Sequence, residues 1–300
     1  MSTERTLVLV GTGAYVTEDG YGPGVIARSL AQWCAQRGPD AVWRIVILVR
    51  SDEGRRRIED TLKSIRNEID APPEPTLIEA ASDAALEEIR KAHALFICVP
   101  DSAHAEYLEL GIAGRIPTWV VKPMTGSGNS STTLAEAADR RGVPIWVDYH
   151  KRFDVSNRLL RSAATSEEHG APMLYSVRYS QPRDLPLSQV DWARETDVFS
   201  YIGCHYVDQL MFVVPGIQVR RAIANGIPGP IYEQFGGQAW DSVLARLECE
   251  WRGRPVNAQF EVGWANPLGS PTKSLQVVEL SFERARFFMD QTRRGVETWS

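Results

Sequence analysis

The first half of the chain alternates between short, unbroken apolar runs and longer stretches in which apolar residues recur every three or four positions. The runs Thr6–Val10, Arg44–Val49, Thr76–Ile78, Ala94–Cys98, Thr118–Val121 and Pro144–Val147 predict strands buried on both faces. Between them, Val25–Gln36, Arg55–Ile65, Asp83–Ala92, Ala103–Leu110 and Thr132–Arg141 carry the 3.6-residue period of amphipathic helices. Strand and helix in strict alternation predict a parallel, doubly wound α/β sheet. The pattern changes after Phe153. A helix over Val155–Ala164, an alternating strand over Met173–Tyr179, a loop over Gln181–Val190 and a helix over Val198–Val213 follow. Then come Gln218–Ile223, Ser242–Glu250, Val256–Val262, Gln276–Leu280 and Arg286–Asp290, read as strands joined by Gly/Pro/Asn turns. The reading is an α/β chain with an N-terminal Rossmann sheet over residues 1–149 and a C-terminal α+β domain over 150–300 holding a large, open, mainly antiparallel sheet.

Composition narrows the class of partner. With 300 residues, 43% hydrophobic and 24% charged, the chain is ordinary for a protein with two cores, and its formal charge of −5 argues against nucleic acid or an anionic membrane. Cys34, Cys98, Cys204 and Cys249 are far apart and show neither zinc nor disulfide spacing, so no metal is expected. Met-Ser-Thr-Glu-Arg runs straight into a strand without a leader core, and the expected location is the cytoplasm.

The candidate chemistry lies at predicted strand ends. Gly11-Thr12-Gly13 opens like a dinucleotide fingerprint, in which the first glycine permits a tight turn and the second a close approach to a pyrophosphate. Val16 stands where a third glycine is expected. Gly22 or Gly24 then remains to make the close helix contact, or the loop bulges over a cofactor, and Tyr15 falls beside that groove. The second strand ends in Val49-Arg50-Ser51, where a carboxylate would hold a ribose 2′-hydroxyl. Arg50 and Ser51 suit a 2′-phosphate, pointing to NADP over NAD, unless Asp52 or Glu53 reaches back to the ribose. Pro100, Asp101 and His104 follow the fourth strand and line the same groove, although Asp101 also suits a helix N-cap. Lys122 precedes Pro123, which forces extended geometry on it and projects it from the end of the fifth strand. On the helix Val198–Val213, Tyr201, His205 and Asp208 share one face, Asp208 reading as an ion-pair partner. Trp192, Trp240, Trp251 and Trp264 read as core or sheet packing.

Five segments in this order resemble the Gfo/Idh/MocA oxidoreductases over nearly the whole chain: Gly11-Thr-Gly13; Val99-Pro100-Asp101 with His104; Val121-Lys122-Pro123; Asp148-Tyr149-His150-Lys151-Arg152-Phe153; and Tyr201-Ile-Gly-Cys-His205-Tyr-Val-Asp208. The resemblance implies a nicotinamide cofactor, a sugar-like substrate bearing a carbinol or carbonyl carbon, and homodimers or homotetramers built through the C-terminal sheet. It assigns Lys122 and His205 to catalysis. The family's glutamate before the lysine is Val121 here, its aspartate four residues before the histidine is Tyr201, and His150 replaces an asparagine. The Tyr201 phenol is then expected to share proton transfer with His205, its pKa lowered by a nearby lysine, or else to mark a chain that has lost the reaction. Tyr149, His150 and Arg152 are assigned to the substrate. The competing readings are a non-catalytic nucleotide-binding scaffold and an enzyme using bound NAD(P) without net redox change.

Overall fold

The computed structural model describes all residues except 1–4, 18–23, 38–42, 71–73, 167, 185, 188–195, 237–239, 268, 271, 273, 293–294 and 300, with the side chains of 37 and 295–299 also outside the description. Trp192 and Gly22 therefore lie outside the described residues. The chain divides into two compact units, 1–148 and 149–300.

In the first unit the strands are β1 (Arg5–Val10), β2 (Trp43–Val49), β3 (Thr76–Glu79), β4 (Ala94–Ile97), β5 (Thr118–Val121) and β6 (Ile145–Asp148). All pair in parallel, in the order β3-β2-β1-β4-β5-β6. The helices are α1 (Val25–Arg37), α2 (Asp52–Glu68), α3 (Asp83–Lys91), α4 (His104–Gly114) and α5 (Gly128–Arg141). Two separate apolar layers form on the sheet. Leu7, Leu9, Ile45 and Ile47 pack with α1 and α2, whereas Val8, Val10, Val46 and Leu48 pack with α3, α4 and α5. That division follows from side chains alternating across a strand. Each central strand must be apolar on both faces, hence the unbroken runs in the sequence.

Helix starts are set by local chemistry. Ser51, Ser82 and Ser127 cap α2, α3 and α5, each hydroxyl accepting from a backbone N–H three residues on. The caps explain why α2 begins at Asp52, three residues earlier than its periodicity suggests. Helix α3 is tied to the sheet by Arg44, whose guanidinium grips Glu88 at 2.6 and 2.8 Å and holds that carboxyl below the usual glutamate range.

The second unit contains α6 (Val155–Ser166), β7 (Pro172–Pro182), α7 (Cys204–Val213), β8 (Gln218–Ile227), α8 (Pro230–Phe235), β9 (Ser242–Trp251), β10 (Arg254–Asn266), β11 (Leu275–Phe282), β12 (Arg286–Asp290) and β13 (Gly295–Trp299). The sheet runs β13-β12-β11-β7-β10-β9-β8. It is antiparallel except between β7 and β10, which run parallel. One face packs on α6 and α7 through Leu160, Tyr175, Val177, Tyr206, Leu210 and Phe260. The other face presents Leu174, Arg178, Ile223, Leu244, Arg246 and Glu261 to solvent. Trp251 and Trp264 are buried in this core, and Trp240 stacks on Tyr232 with ring centres 4.7 Å apart.

The strands β7 to β12 were legible from alternation, but α8 and β13 were not. Helix α8 starts at a Gly-Pro pair, which reads as a turn, and is held because Asp241 accepts from the N–H groups of Ile231 and Tyr232.

The Arg44–Glu88 pair makes a pH-dependent prediction. A carboxyl held below its unfolded pKa stabilises the fold above that pKa and loses its contribution as pH falls through the folded value. Glu88→Gln is expected to lower stability by about 1–2 kcal/mol at pH 7. Denaturant melts at pH 7 and pH 3 check it, the two proteins converging at the lower pH.

Candidate functional site

In the first unit the strand order reverses between β1 and β4, and an open parallel sheet binds ligands beyond the carboxyl ends of its strands at that point. The loop after β1 is shaped by one glycine. Gly11 sits at φ +100°, and a Cβ there would fall 2.3 Å from the Cys98 carbonyl oxygen. Its N–H donates to the Leu48 carbonyl at 3.1 Å, so the loop leaves β1 against the ends of both neighbouring strands. Thr12 is buried against the start of α2, where a Cβ on Gly54 would press to 2.4 Å from its hydroxyl. Gly13 and Ala14 are exposed, and a Cβ on Gly13 would meet nothing within 4 Å. A loop of this shape leaves room for a diphosphate at the backbone, so the residues present fit a dinucleotide.

Two of the expected groove residues have other work. Val16 is fully buried with Leu7, Leu9, Ile26 and Ile58, so it fills the core beneath the loop and does not line a groove. His104 has no exposed surface, and its Nδ1 and Nε2 lie 2.9 and 2.8 Å from the carbonyl oxygens of Pro123 and Val99. It clamps the turn after β5 to the end of β4. Tyr15 donates to Asp148 at 2.7 Å although β6 lies three strands from β1, so the glycine loop runs across the carboxyl edge. Burial and that carboxylate raise the Tyr15 pKa and keep the phenol neutral.

Asp101 is not a side-chain cap. A short 3₁₀ turn over Asp101–Ala103 precedes α4, and neither start carries a side-chain cap bond. The Asp101 carboxylate instead points toward Gly126, whose Cβ would lie 3.7 Å from it. Pro100 and Arg50 are exposed. The Ser51 hydroxyl accepts from the Gly54 N–H at 3.1 Å as the cap of α2, beside Asp52 and Glu53 in that helix's first turn. Lys122 is half-buried at the end of β5, and its peptide bond to Pro123 is cis.

In the second unit a 3₁₀ turn over His150–Phe153 meets α7. His205 is buried, 3% exposed, and two rings pack edge-on against it: Tyr149 at 5.9 Å and the exposed His150 at 4.8 Å between centres. Arg152 forks onto Asp208, its Nε donating to Oδ2 at 2.8 Å and its second nitrogen to Oδ1. The Arg152 guanidinium also lies over the rings of Tyr149 and Phe212, so this side chain is committed within its own unit. Desolvation raises the Tyr149 pKa, with further upward contributions from Cys204 and Asp208.

Tyr201 departs from the expected picture. It lies in a π-helical turn over Phe199–Gly203 that leads into α7, so the segment is not one regular helix from Val198. Its ring tilts against Trp264, 6.1 Å between centres, and packs on the core. Burial raises its pKa, the opposite of the lowering expected for a phenol beside a lysine.

Two buried amides absent from the sequence-based site residues support the turn from beneath. Buried Gln209 donates to Asn157 Oδ1, and Asn157 Nδ2 donates to the Lys151 carbonyl at 2.7 Å. Lys151 Nζ reaches Gln276 on β11 at 2.9 Å. The signal was present: Asn157 falls on the apolar stripe of α6, and Gln209 is four residues beyond His205 on α7. Among the described residues no cluster of metal-ligating side chains occurs, and no helix is long and apolar enough to cross a membrane.

The chain aligns over its whole length with solved dehydrogenases. An inositol dehydrogenase homologue from Azotobacter vinelandii, solved with NADH and myo-inositol, matches 100% of this chain and 76% of that one at TM-score 0.73 and 13% identity. A levoglucosan dehydrogenase solved with NADH matches 99% and 76% at TM-score 0.74 and 15% identity. The fold is that of the Gfo/Idh/MocA oxidoreductases. In sequence, a myo-inositol dehydrogenase of Streptomyces leeuwenhoekii is 25% identical over 183 residues, which cover 60% of this chain and 54% of that protein. The chain spans about half the length of the curated relatives it matches. No family model matches.

Gly11 makes the second prediction. Gly11→Ala combines an unfavourable φ with a carbonyl clash and is expected to destabilise the first unit by about 2–4 kcal/mol. Gly13→Ala, on open backbone, is expected to leave the melting midpoint nearly unchanged while weakening dinucleotide binding, as read by calorimetric titration.

Proposed function

We propose that the chain is an NAD(P)-dependent oxidoreductase acting on a carbinol, or the corresponding carbonyl, of a sugar-like polyol. The observation that carries the reading is the Gly11–Gly13 loop, turned sharply against Cys98 and open above Gly13 at the point where the strand order reverses. The similarity to inositol and levoglucosan dehydrogenases supports the polyol class. A bound nicotinamide would supply the acceptor or donor of hydride.

The chain's own residues then manage binding and the proton. Gly13 and Ala14 offer exposed backbone to a diphosphate, and Arg50 is the cation for a 2′-phosphate, which favours NADP. His205 takes the proton from the substrate hydroxyl in oxidation and returns it in reduction, since an imidazole titrates near neutrality. Lys122, half-buried at the end of β5, is the cation that the first unit's carboxyl edge offers to a polyol hydroxyl. Tyr149 and Arg152 hold the wall around His205, Arg152 through Asp208. Tyr201 serves as packing against Trp264.

The exposed face of the seven-stranded sheet suits a second copy of this chain. It mixes Leu174, Ile223 and Leu244 with residues of both charges, including the Arg178–Glu261 pair, so a surface facing its own copy can match apolar to apolar and Arg to Glu. Light scattering is expected to give a dimer or tetramer, and Leu244→Glu to shift it toward monomer.

The function is tested by titrating NADP and NAD and following reduced-cofactor absorbance with inositols and related polyols. Lys122→Ala and His205→Ala are each expected to reduce turnover by roughly 10²–10⁴-fold while cofactor affinity holds. Tyr201→Phe is expected to keep most of its turnover. Cofactor binding without turnover on any polyol, imine or carbonyl compound would overturn the redox reading.

A further inference from the structure

We infer that His150 is the proton relay between His205 and bulk water, a role that rests on the acid–base assignment of His205. A general base used once per turnover must exchange its proton with solvent each cycle. His205 presents only 3% of its surface, so its own access to water is almost closed. His150 is exposed, belongs to the same unit, and stands edge-on with its ring centre 4.8 Å from that of His205. At that spacing one water can link the two imidazoles.

The other groups around His205 do not offer the same route. Tyr149 packs edge-on at 5.9 Å, but its buried phenol stays neutral and would have to pass through a costly phenolate or phenoxonium. Asp208, on the same helix, is held by both arms of the Arg152 guanidinium. Cys204 and Tyr206 are also ionisable on that helix: the thiol points back to the Tyr201 carbonyl, and the Tyr206 phenol is fully buried and kept neutral by desolvation. Lys151, next to His150, turns toward Gln276 and the Tyr206 ring. His150 is thus the group that joins an imidazole, a contact to His205 and a face in water.

The proton count closes. In oxidation, one His205 ring nitrogen takes the proton from the substrate hydroxyl, and a bound nicotinamide would supply the hydride acceptor. The opposite nitrogen gives its N–H proton, through a bridging water, to the lone pair of a His150 ring nitrogen, which returns His205 to a neutral tautomer. His150, now an imidazolium, releases a proton from its other nitrogen to water. Reduction runs the same sequence backwards. The asparagine found at this position in the resembling family cannot titrate, so the relay is specific to a chain carrying histidine here.

The test separates the relay from the enzyme assignment. In protein labelled with ¹⁵N-histidine, exchange of the His205 ring N–H with water is measured by saturation transfer, with no substrate present. His150→Asn and His150→Gln are expected to slow that exchange by on the order of tenfold or more. Tyr149→Phe is expected to leave it unchanged. During turnover, His150→Asn is expected to lower kcat and leave cofactor KM alone, and added imidazole to restore kcat. Unchanged exchange in both His150 variants overturns the relay whether or not the protein turns over. Slowed exchange in a protein that moves no hydride would uphold the proton path and overturn the proposed reaction.

Discussion

A side chain at residue 11 would collide with the carbonyl of Cys98, and much of the first unit's edge follows from that exclusion. Strand β1 lies between β2 and β4, so the chain leaving it has strand ends on both sides. Only a residue without Cβ can turn there at φ +100° while donating its N–H to Leu48. Once that turn is made, Thr12 is driven down against α2 and Gly13 is lifted into the open. Tyr15 can then reach Asp148 at the far end of the sheet. His104 performs the matching task for the next loop, its two ring nitrogens holding Val99 and Pro123 together so that the strand end bearing Lys122 is fixed.

The second unit uses a different device to place its imidazole. His205 sits on a helix packed on a mainly antiparallel sheet, and a 3₁₀ turn faces it. Such a turn has few hydrogen bonds of its own. Asn157 and Gln209 supply the missing partners from α6 and α7, and Lys151 ties the turn to β11. The Asn157 amide, accepting from Gln209 and donating to Lys151, fixes one arrangement of the turn. The π-helical turn before α7 belongs to the same region, where the extra residue lets Tyr201 fall onto Trp264. Such turns concentrate at functional sites.

Strand and helix positions in both units, α8 and β13 apart, were readable because burial on two faces, or on one, leaves different periods in the sequence. The glycine loop was readable for the same kind of reason, since a steric requirement leaves a residue type behind. Roles that depend on a neighbour distant in the chain were not. Nothing local distinguishes His104 as a clamp from His104 as a ligand, because both ask only for an imidazole after a strand. Asp101 has a capping residue's chemistry but stands before a 3₁₀ turn that takes no side-chain cap. Val16 stands where the third glycine of a cofactor loop is expected and was placed in the groove, and its burial in the layer with Ile26 and Ile58 became visible only with the helices in place.

The amino-acid sequence by itself determined the alternation of elements, the sharp turn at Gly11, the extended exit at Lys122 and the sharing of one helix by His205 and Asp208. These follow from backbone sterics and side-chain periodicity, which act over a few residues. Tertiary structure alone decided which imidazole is buried, which is wet and which ring each one touches. It also decided that Arg152 belongs to Asp208, that Tyr201 belongs to Trp264, and that β7 and β10 run parallel. Those outcomes depend on packing between segments scores of residues apart, where burial and partnership exist only after the chain has closed on itself.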